Sequence, residues 1–287
     1  MNFPTWTLGS VRITSVKEIE LPIPGAGIVP EATPEALAPH ASWLRPHFVT
    51  EDGRLRLLIQ ALVVESCGRR IVVDTCVGND KDRALPVFHH LQTGFLDELA
   101  RAGFPRESID TVVCTHLHVD HVGWNTMHVN GGWLPTFPNA RYLVVRPEWE
   151  HWSKQDDRSM GDILGDSVRP IFEAGLVDLV EPGHALTDEV ALEPTPGHTP
   201  GHTSVRIRSG GHEAVITGDL MHHPVQCAHP DWGSSADVDP EQARRTRRAF
   251  LEAQAGRAVL VIGTHFAGPH AGRIVREGAG HRFEVGG

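Results

Sequence analysis

The chain has 287 residues, enough for one large domain or two smaller ones, and its hydrophobic content of 40% suffices for a sizeable core. It carries 26 Lys and Arg against 36 Asp and Glu, a formal charge of −10, which argues against a nucleic-acid partner because such a partner requires a basic surface. No apolar stretch reaches the roughly 18 residues that a membrane-spanning helix needs, so we expect no membrane partner.

Two features bear on the compartment. The N-terminal residues lack a basic segment followed by an apolar run, so no secretory signal is predicted. The four cysteines do not form a C-x-x-C pair, which argues against a thiolate zinc site. Free thiols in a reducing compartment account for them, so we expect a cytoplasmic protein. The cysteines are Cys67, Cys76, Cys114 and Cys227.

Residues 1–50 are rich in proline and read as an N-terminal arm or lid, followed by a single domain over residues 51–287. Residues 11–16 within the arm predict an edge strand. Trp43 and Phe48 are large apolar side chains that either line a substrate entrance, form a subunit contact or pack against the body of the protein. The arm is compatible with a homodimer, which we keep as an expectation.

The next stretch predicts strand, strand, helix and strand in turn. Residues 57–64 and 70–74 are apolar runs with a short, glycine-containing link, which is typical of a hairpin. Apolar residues at helical spacing predict a helix over residues 95–100, which ends before Gly103. The β-branched run at residues 109–114 then predicts a buried strand.

Residues 115–121, with the sequence Thr-His-Leu-His-Val-Asp-His, follow that strand directly. Residues two apart point the same way in extended backbone, so His116 and His118 can bind one ion together. If the chain then turns, Asp120 and His121 can bind a second ion. Imidazole and carboxylate ligands suit zinc, with iron or manganese as alternatives.

Residues 122–160 hold most of the tryptophans, close behind this stretch. We predict that Trp124 forms the wall of an apolar substrate pocket. Trp149 and Trp152 follow Pro147 at the start of a predicted helix, where packing is the simpler explanation. Residues 142–145 predict another strand.

The remainder predicts a second series of sheet and helix. A helix near residues 160–174 precedes a strand at residues 176–180, which we expect to open the second half. Asp239 and Pro240 give a strong start signal for a helix over residues 240–255, whose four arginines are predicted to form a solvated face. The other predicted strands are residues 189–193, 203–208, 213–217 and 258–262.

Taken together, these motifs resemble the metallo-β-lactamase superfamily from about residue 55 to about residue 270. The stretch at residues 115–121 resembles the family signature, and Asp74 matches an upstream aspartate that orients the ligand loop by hydrogen bonds. The resemblance implies an α/β fold of the αββα type, a four-layer sandwich of two mixed sheets flanked by helices. Further motifs stand in the family's order at His198, Asp219 and His265.

The resemblance also implies a dinuclear metal site, with two Zn²⁺ ions, in which a metal-bridging hydroxide attacks the substrate. Asp120 and His222 are the expected catalytic residues. His202 repeats the Gly-His-Thr pattern of His198 and is predicted to support the ligands rather than to be one. The implied ligands are His116, His118 and His198 for the first ion, Asp120, His121 and His265 for the second, and Asp219 as the bridge.

The motifs indicate the metal site more specifically than the substrate class. Acyl-homoserine lactonases of the family commonly carry a Tyr three positions after the bridging Asp, whereas this chain has His222, as in branches similar to methyl parathion hydrolase. His222 either assists the leaving group or supports a metal ligand. With an apolar entrance, the resemblance favours a hydrophobic ester, lactone or phosphotriester as the small-molecule substrate. The alternatives are a β-lactamase or thioesterase, a mononuclear iron dioxygenase, and a metal-loaded sensor without enzymatic activity.

Overall fold

The computed structural model describes residues 3–155, 158–278 and 280–286. The chain clusters into two compact units. The first comprises Met1–Ile19 and Ile59–Glu189, and the second comprises Glu20–Leu58 and Val190–Gly287. Neither unit begins or ends at residue 50, and the division of the chain into an arm and one domain stays a prediction.

The strands within the described residues are β1 Thr5–Leu8, β2 Val11–Ile23, β3 Leu55–Ser66, β4 Arg69–Val73, β5 Thr111–Cys114, β6 Thr126–Val129, β7 Gly132–Pro135, β8 Arg141–Val145, β9 Val177–Val180, β10 Val190–Pro194, β11 Thr203–Ser209, β12 His212–Ile216, β13 Val259–Ile262, β14 Ala271–Glu277 and β15 Gly280–Val285. The α-helices are α1 Pro34–Leu37, α2 Ala41–Leu44, α3 Phe95–Arg101, α4 Arg146–Trp152, α5 Arg169–Glu173, α6 Val225–Ala228 and α7 Pro240–Gln254. A π-helical turn, Leu164–Val168, precedes α5.

The larger sheet has the strand order β1-β2-β3-β4-β5-β8-β9. The predicted hairpin is confirmed: β3 and β4 pair antiparallel, and Cys67 and Gly68 between them have φ angles of 51° and 76°. Positive φ at both central residues is what a tight hairpin turn of this hand requires. Strands β4, β5, β8 and β9 are parallel neighbours, so their carboxyl ends lie at one edge of the sheet.

Two sequence predictions about this sheet are wrong. Residues 11–16 are not an edge strand, because β2 lies between β1 and β3. No proline occurs between Pro4 and Pro22, so the backbone N–H groups of β2 can pair on both sides. Residues 176–180 do not open the second half, because β9 pairs parallel with β8. The segment between them, which contains α4 and α5, makes a crossover that returns the chain to the same sheet.

The second unit is built on a mixed sheet with the order β10-β11-β12-β13-β14-β15. Only β12 and β13 pair in parallel, and α7 lies between them in the chain. The hairpin of β14 and β15 was not predicted from the sequence. Its charged residues, such as Arg273 and Arg282, alternate with buried apolar residues, such as Ile274 and Phe283, which lowers its mean hydropathy.

Residues 20–50 contribute to the interior of the second unit. Phe48 is fully buried, with its ring 6.4 Å from that of Phe266 and 6.0 Å from that of Phe283. Leu44, in α2, is fully buried in the same cluster. Phe48 therefore packs in the core of this unit. A lid function of residues 1–50 stays a prediction.

The predicted solvated arginine face of α7 is wrong for Arg247, which is fully buried. Its Nε donates to the Leu220 carbonyl at 3.0 Å, and its Nη1 donates to the carbonyls of Pro230 and Trp232 at 2.9 Å each. Backbone carbonyls therefore replace water as the partners of Nε and Nη1. Within the described ranges, no helix has the length and apolarity needed to cross a membrane.

Candidate metal centre

The predicted ligand stretch follows β5 in the first unit, and Asp74, at the end of neighbouring β4, holds both of its ends. Asp74 Oδ1 accepts from the Thr115 N–H at 2.8 Å, and Oδ2 accepts from the Thr115 hydroxyl at 2.9 Å. Oδ2 also lies 2.9 Å from Nδ1 of His121. The orienting role expected for this aspartate is therefore confirmed, and it places the His121 proton on Nδ1, leaving the Nε2 lone pair for another partner.

The turn after β5 is fastened to residues 74–78 by backbone bonds. The Thr75 N–H donates to the His121 carbonyl at 2.7 Å, and the Trp124 N–H donates to the Thr75 carbonyl at 2.8 Å. A Cβ on Gly123 would lie 1.7 Å from the Val77 carbonyl oxygen, so only glycine permits this close approach. The segment that carries four candidate ligands is thus held rigidly against its neighbour.

The candidate ligands of the first unit lie side by side. The His116 ring centroid is 4.7 Å from that of His118 and 4.0 Å from that of His121. His121 Nε2 is 3.7 Å from Asp120 Oδ1. His116 and His121 are fully buried, whereas His118 and Asp120 are partly exposed. The rings of His116 and His118 are neighbours, and the prediction that they bind one ion together stays a prediction.

A second buried carboxylate supports the same stretch from α4. Glu148 Oε1 accepts from the Leu117 N–H at 3.0 Å and from Nε1 of Trp152 at 2.6 Å. The Trp152 ring lies edge-on to His118, with the ring centroids 5.4 Å apart. The sequence leaves a role beyond helix packing open for Trp152, and the structure places its ring against a candidate ligand.

Trp124, predicted to line a substrate pocket, is 5% exposed. Its ring stacks on Phe95 at 5.9 Å, and its Nε1 donates to Glu18 Oε1 at 2.6 Å. Glu18 also accepts from the N–H groups of Val77 and Gly78. The observed role of Trp124 is packing, and its place in a pocket wall stays a prediction.

In the second unit, Asp219 follows β12 and His265 follows β13. These strands are parallel, so their ends share one edge of the sheet. His265 Nδ1 donates to the Leu58 carbonyl at 2.9 Å, which directs Nε2 at Asp219 Oδ1, 3.0 Å away. The tautomer follows from the carbonyl, which can only accept.

His198 reaches the same carboxylate from the loop before β11. The start of α7 abuts this loop: a Cβ on Gly197 would lie 2.2 Å from the Ala243 nitrogen, and the Val238 N–H donates to the His198 carbonyl. His198 Nδ1 lies 2.9 Å from Asp237 Oδ1, and its Nε2 lies 3.2 Å from Asp219 Oδ2. The predicted N-cap at Asp239 is present and fixes this start, since its carboxylate accepts from the Gln242 N–H at 2.9 Å.

The structure also places the two histidines of uncertain role. His202 Nε2 accepts from the Asp219 N–H at 2.8 Å, while its Nδ1 bonds to Thr195, so it orients Asp219 as a neutral imidazole, consistent with its predicted supporting role. His222 Nε2 lies 3.1 Å from Asp219 Oδ2, and its ring stacks on His265 at 5.6 Å. Burial lowers the pKa of His222, which favours its neutral form.

The donor set of the second unit fits a bound cation. Three imidazole Nε2 atoms, those of His198, His222 and His265, lie 3.0–3.2 Å from the carboxylate of Asp219. The nitrogens of His198 and His265 would present lone pairs to an anion, which is repulsive unless a proton or a metal ion intervenes. Burial alone would lower the pKa of His198, but its hydrogen bonds to Asp219 and Asp237 raise it to about 9.

Two supporting residues were missed from the sequence. Asp237 lies in a short polar loop with no motif around it, and Glu148 lies in the first turn of α4. Their roles depend on contacts over 39 and 31 residues of sequence separation. The one sequence signal was the position of Glu148, in the first helical turn after the buried strand β8.

Comparison with known proteins supports this assignment. Residues 54–265 match the model of the metallo-beta-lactamase superfamily. A probable metallo-hydrolase of Mycobacterium tuberculosis is 25% identical over 190 residues, which cover 59% of this chain and 58% of that protein. An N-acyl homoserine lactonase of a Bacillus species is 29% identical over 111 residues, 39% of this chain and 38% of the lactonase. The matches thus span well under two thirds of these relatives' lengths.

Among solved structures, AidC, a dizinc quorum-quenching lactonase in complex with a product, superposes with a TM-score of 0.81. The two sequences are 22% identical, and the alignment covers 99% of this chain and 97% of AidC. The predicted α/β fold class is confirmed by this likeness and by the two mixed sheets with their helices. With the family model matching most of the chain, the protein belongs to the metallo-beta-lactamase superfamily.

Proposed function

We propose that this protein is a metal-dependent hydrolase of hydrophobic lactones and esters. The observation that carries the proposal is the convergence of imidazole nitrogens on the buried carboxylate of Asp219, in a unit whose His198 and His265 have their Nδ1 atoms bonded elsewhere. That arrangement leaves Nε2 as a ligand and makes Asp219 suited to bind a cation.

The proposed ligand sets are those implied by the superfamily's order of motifs. His116, His118 and His198 are assigned to one ion, Asp120, His121 and His265 to a second, and Asp219 to both. We propose zinc as the metal, because imidazole and carboxylate ligands suit it. When bound, two such ions would lower the pKa of a shared water to near neutrality and stabilise negative charge on the reacting group.

The chain's own residues prepare this chemistry in several ways. Asp74 and Asp237 hold the Nδ1 atoms of His121 and His198, so both imidazoles stay in the tautomer that ligates through Nε2. His202 fixes the backbone of Asp219. We assign to His222, a buried imidazole whose lowered pKa favours its neutral form, the relay of a proton from the attacking water to the leaving oxygen.

The substrate class rests on relatives and on one residue. The Bacillus relative is named an N-acyl homoserine lactonase and AidC a lactonase, which favours a cyclic ester. His222 stands where the lactonases commonly carry Tyr, and this departure favours a phosphotriester or aryl ester as the second candidate class. The cytoplasmic location and a homodimer remain predictions.

The test is proton release in a pH-stat from N-hexanoyl-homoserine lactone, with p-nitrophenyl butyrate and a p-nitrophenyl phosphotriester as parallel substrates. We expect acid production from the lactone that disappears after metal removal and returns when zinc is restored. Asp219→Asn should abolish turnover, whereas Asp231→Asn, at an exposed carboxylate of the same unit, should not change it.

The other function classes give distinct outcomes. Restored activity with iron but not zinc, and oxygen consumption with a persulfide, would assign a dioxygenase. A metal-replete protein without turnover on any of the three substrates would favour a sensor and overturn the proposal. Faster turnover of the phosphotriester than of the lactone would keep the hydrolase and change the substrate.

A further inference from the structure

A second group of metal-ligating side chains lies in the loop between β4 and α3 of the first unit. Asp82, His89 and His90 offer ligand atoms that lie within 4.8 Å of one another. His90 Nε2 is 3.1 Å from Asp82 Oδ1, and His89 Nδ1 is 3.8 Å from the same oxygen. All three side chains are exposed, at 82% for Asp82, 48% for His89 and 57% for His90, so water can complete a coordination sphere.

The backbone holds these three residues in place. The Asp82 carbonyl accepts from Nη1 of Arg83 at 2.7 Å, and the His90 N–H donates to the Lys81 carbonyl at 2.9 Å. The His89 N–H donates to the Leu85 carbonyl at 3.0 Å. The two ends of the loop are thus paired, with residue 82 opposite residues 89 and 90.

Buried charges anchor the loop from beneath. The side chains of Lys81 and Arg83 are fully buried, and Arg83 makes two bonds to the Asp166 carboxylate, at 2.6 and 2.8 Å. Lys81 Nζ donates to the Thr126 hydroxyl at 2.9 Å. The side chain of Asp82, between these two buried residues in the sequence, is exposed instead.

We propose that Asp82, His89 and His90 form an accessory surface site for a transition-metal ion such as Zn²⁺. Two imidazoles and one carboxylate are the ligands such ions prefer, and three protein ligands leave positions for water. Ligand atoms that share one ion at about 2.0–2.2 Å lie about 3 Å apart, so the pair of Asp82 and His90 is already placed. The rigid anchor lowers the conformational entropy lost on binding.

One contact limits the affinity. His89 Nδ1 accepts from the Arg83 N–H at 3.3 Å, so coordination through Nδ1 breaks this long bond, or the ring turns to offer Nε2. An exposed site with one ligand to reorganise binds more weakly than a buried centre. We therefore expect a dissociation constant on the order of 10 μM for zinc. A zinc ion bound at this site would link Asp82 to His89 and His90 and so close the loop.

The test is equilibrium dialysis of the tag-free full chain, first saturated with zinc at its tighter sites, against free zinc from about 1 to about 100 μM. Bound zinc is counted per chain by atomic emission. We expect the wild-type protein to bind one additional zinc ion per chain. His90→Ala and Asp82→Asn should each weaken this equivalent about tenfold or more. His212→Ala, at an exposed histidine of the second unit, is the matched control and should retain it.

The site does not rest on the proposed hydrolase function, and the two can fail separately. In an Asp120→Ala background, His90→Ala should still remove one weakly bound zinc. Uptake of no additional zinc by the wild-type chain at about 100 μM would overturn the proposal. So would an additional equivalent that His90→Ala and His212→Ala reduce to the same extent, since that result describes general binding to surface histidines.

Discussion

The carboxylate of Asp237 lies 2.9 Å from Nδ1 of His198, and both side chains are buried in the second unit. Asp237 is held in turn by the Ser234 N–H, which donates to its Oδ2 at 2.9 Å, and by Arg247, whose Nη2 lies 3.8 Å away. This relationship fixes both the ring orientation and the tautomer of a candidate ligand. It also accounts for a fully buried arginine, whose charge faces the aspartate.

Replacing Asp237 tests this support directly. We expect Asp237→Ala to weaken metal binding about 10- to 100-fold, because His198 loses the acceptor that orients it. Asp237→Asn retains an acceptor and should weaken binding less. Competition with a chelator gives the affinity, and Asp231→Asn in the same unit is the control. Wild-type affinity in Asp237→Ala would contradict the role given to this carboxylate.

Glu148 gives a comparable prediction in the first unit. It accepts two bonds at Oε1, from the Leu117 N–H and from Trp152 Nε1. Glu148→Ala would leave the buried Leu117 N–H and the partly buried Trp152 Nε1 without their acceptor and should destabilise the fold by about 1–3 kcal/mol, whereas Glu148→Gln keeps an acceptor and should lose less. Urea unfolding at equal metal content measures the difference.

Replacing Trp152 tests what its indole contributes to the contacts with Glu148 and His118. Trp152→Phe keeps one aromatic ring beside His118 and removes the Nε1 donor together with part of the indole. We expect it to cost about 1 kcal/mol of stability and to leave metal affinity close to wild type. A larger loss of metal than in Glu148→Ala would show that the indole itself orients His118.

Sequence patterns located the candidate ligands but not all of their support. Residues 115–121 carry their ligands in one short stretch after a buried strand, and Asp74 ends the neighbouring strand, so both could be predicted. Asp237 and Glu148 could not, because their bonds to His198 and Leu117 join distant parts of the chain. A lone acidic residue in a polar loop or a short helix carries no local pattern that distinguishes it from a solvated one.

The same limit explains the errors about the fold. The capping residues Asp239 and Pro240 predicted the start of α7 correctly. They could not predict that Arg247 is buried, because only the folded chain brings three backbone carbonyls to its guanidinium. The strand at residues 176–180 was identified, but its sheet was not. Which strand it joins is decided by the crossover from β8, a property of the fold rather than of the residues in β9.

Replacing His222 distinguishes two possible roles of this buried imidazole beside Asp219. If it transfers a proton, His222→Phe should lower kcat about 100-fold or more while metal content and KM change little. If it only supports Asp219, metal affinity should fall together with activity. Steady-state kinetics and metal analysis on the same preparation distinguish the outcomes. Activity equal to wild type with full metal content would exclude both roles.

Asp166 neutralises two buried cations, Arg83 at 2.6 Å and Lys81 at 3.6 Å. Asp166→Ala leaves both without their counter-ion, and we expect a loss of about 3–5 kcal/mol. Asp188→Ala, at an exposed position of the same unit, should have little effect. Urea unfolding measures both. Replacing Lys81, Arg83 and Asp166 together by Met, Met and Leu should recover most of the lost stability, because no buried charge then lacks a partner.

His223 makes stability depend on pH. Its Nε2 donates to the Phe48 carbonyl at 2.8 Å, and its Nδ1 accepts from the Val225 N–H at 3.2 Å, so it is neutral in the folded chain. Burial lowers its pKa to about 4, whereas the unfolded value is 6.5. Between these values the unfolded chain binds more protons than the folded chain, so the contribution of His223 is complete above pH 6.5 and is lost as the pH falls toward 4.

The measurement is the free energy of unfolding in urea for the wild-type chain and His223→Gln, whose amide can still donate to Phe48 but does not titrate. Because both chains carry the other histidines, the difference between them isolates residue 223. We expect the free energy of unfolding of the wild-type chain, relative to that of His223→Gln, to fall by on the order of 2 kcal/mol when the pH is lowered from 7.5 to 5. A difference that is constant over this interval would mean that His223 does not remain neutral in the folded state, and that the Phe48 carbonyl stabilises its protonated form.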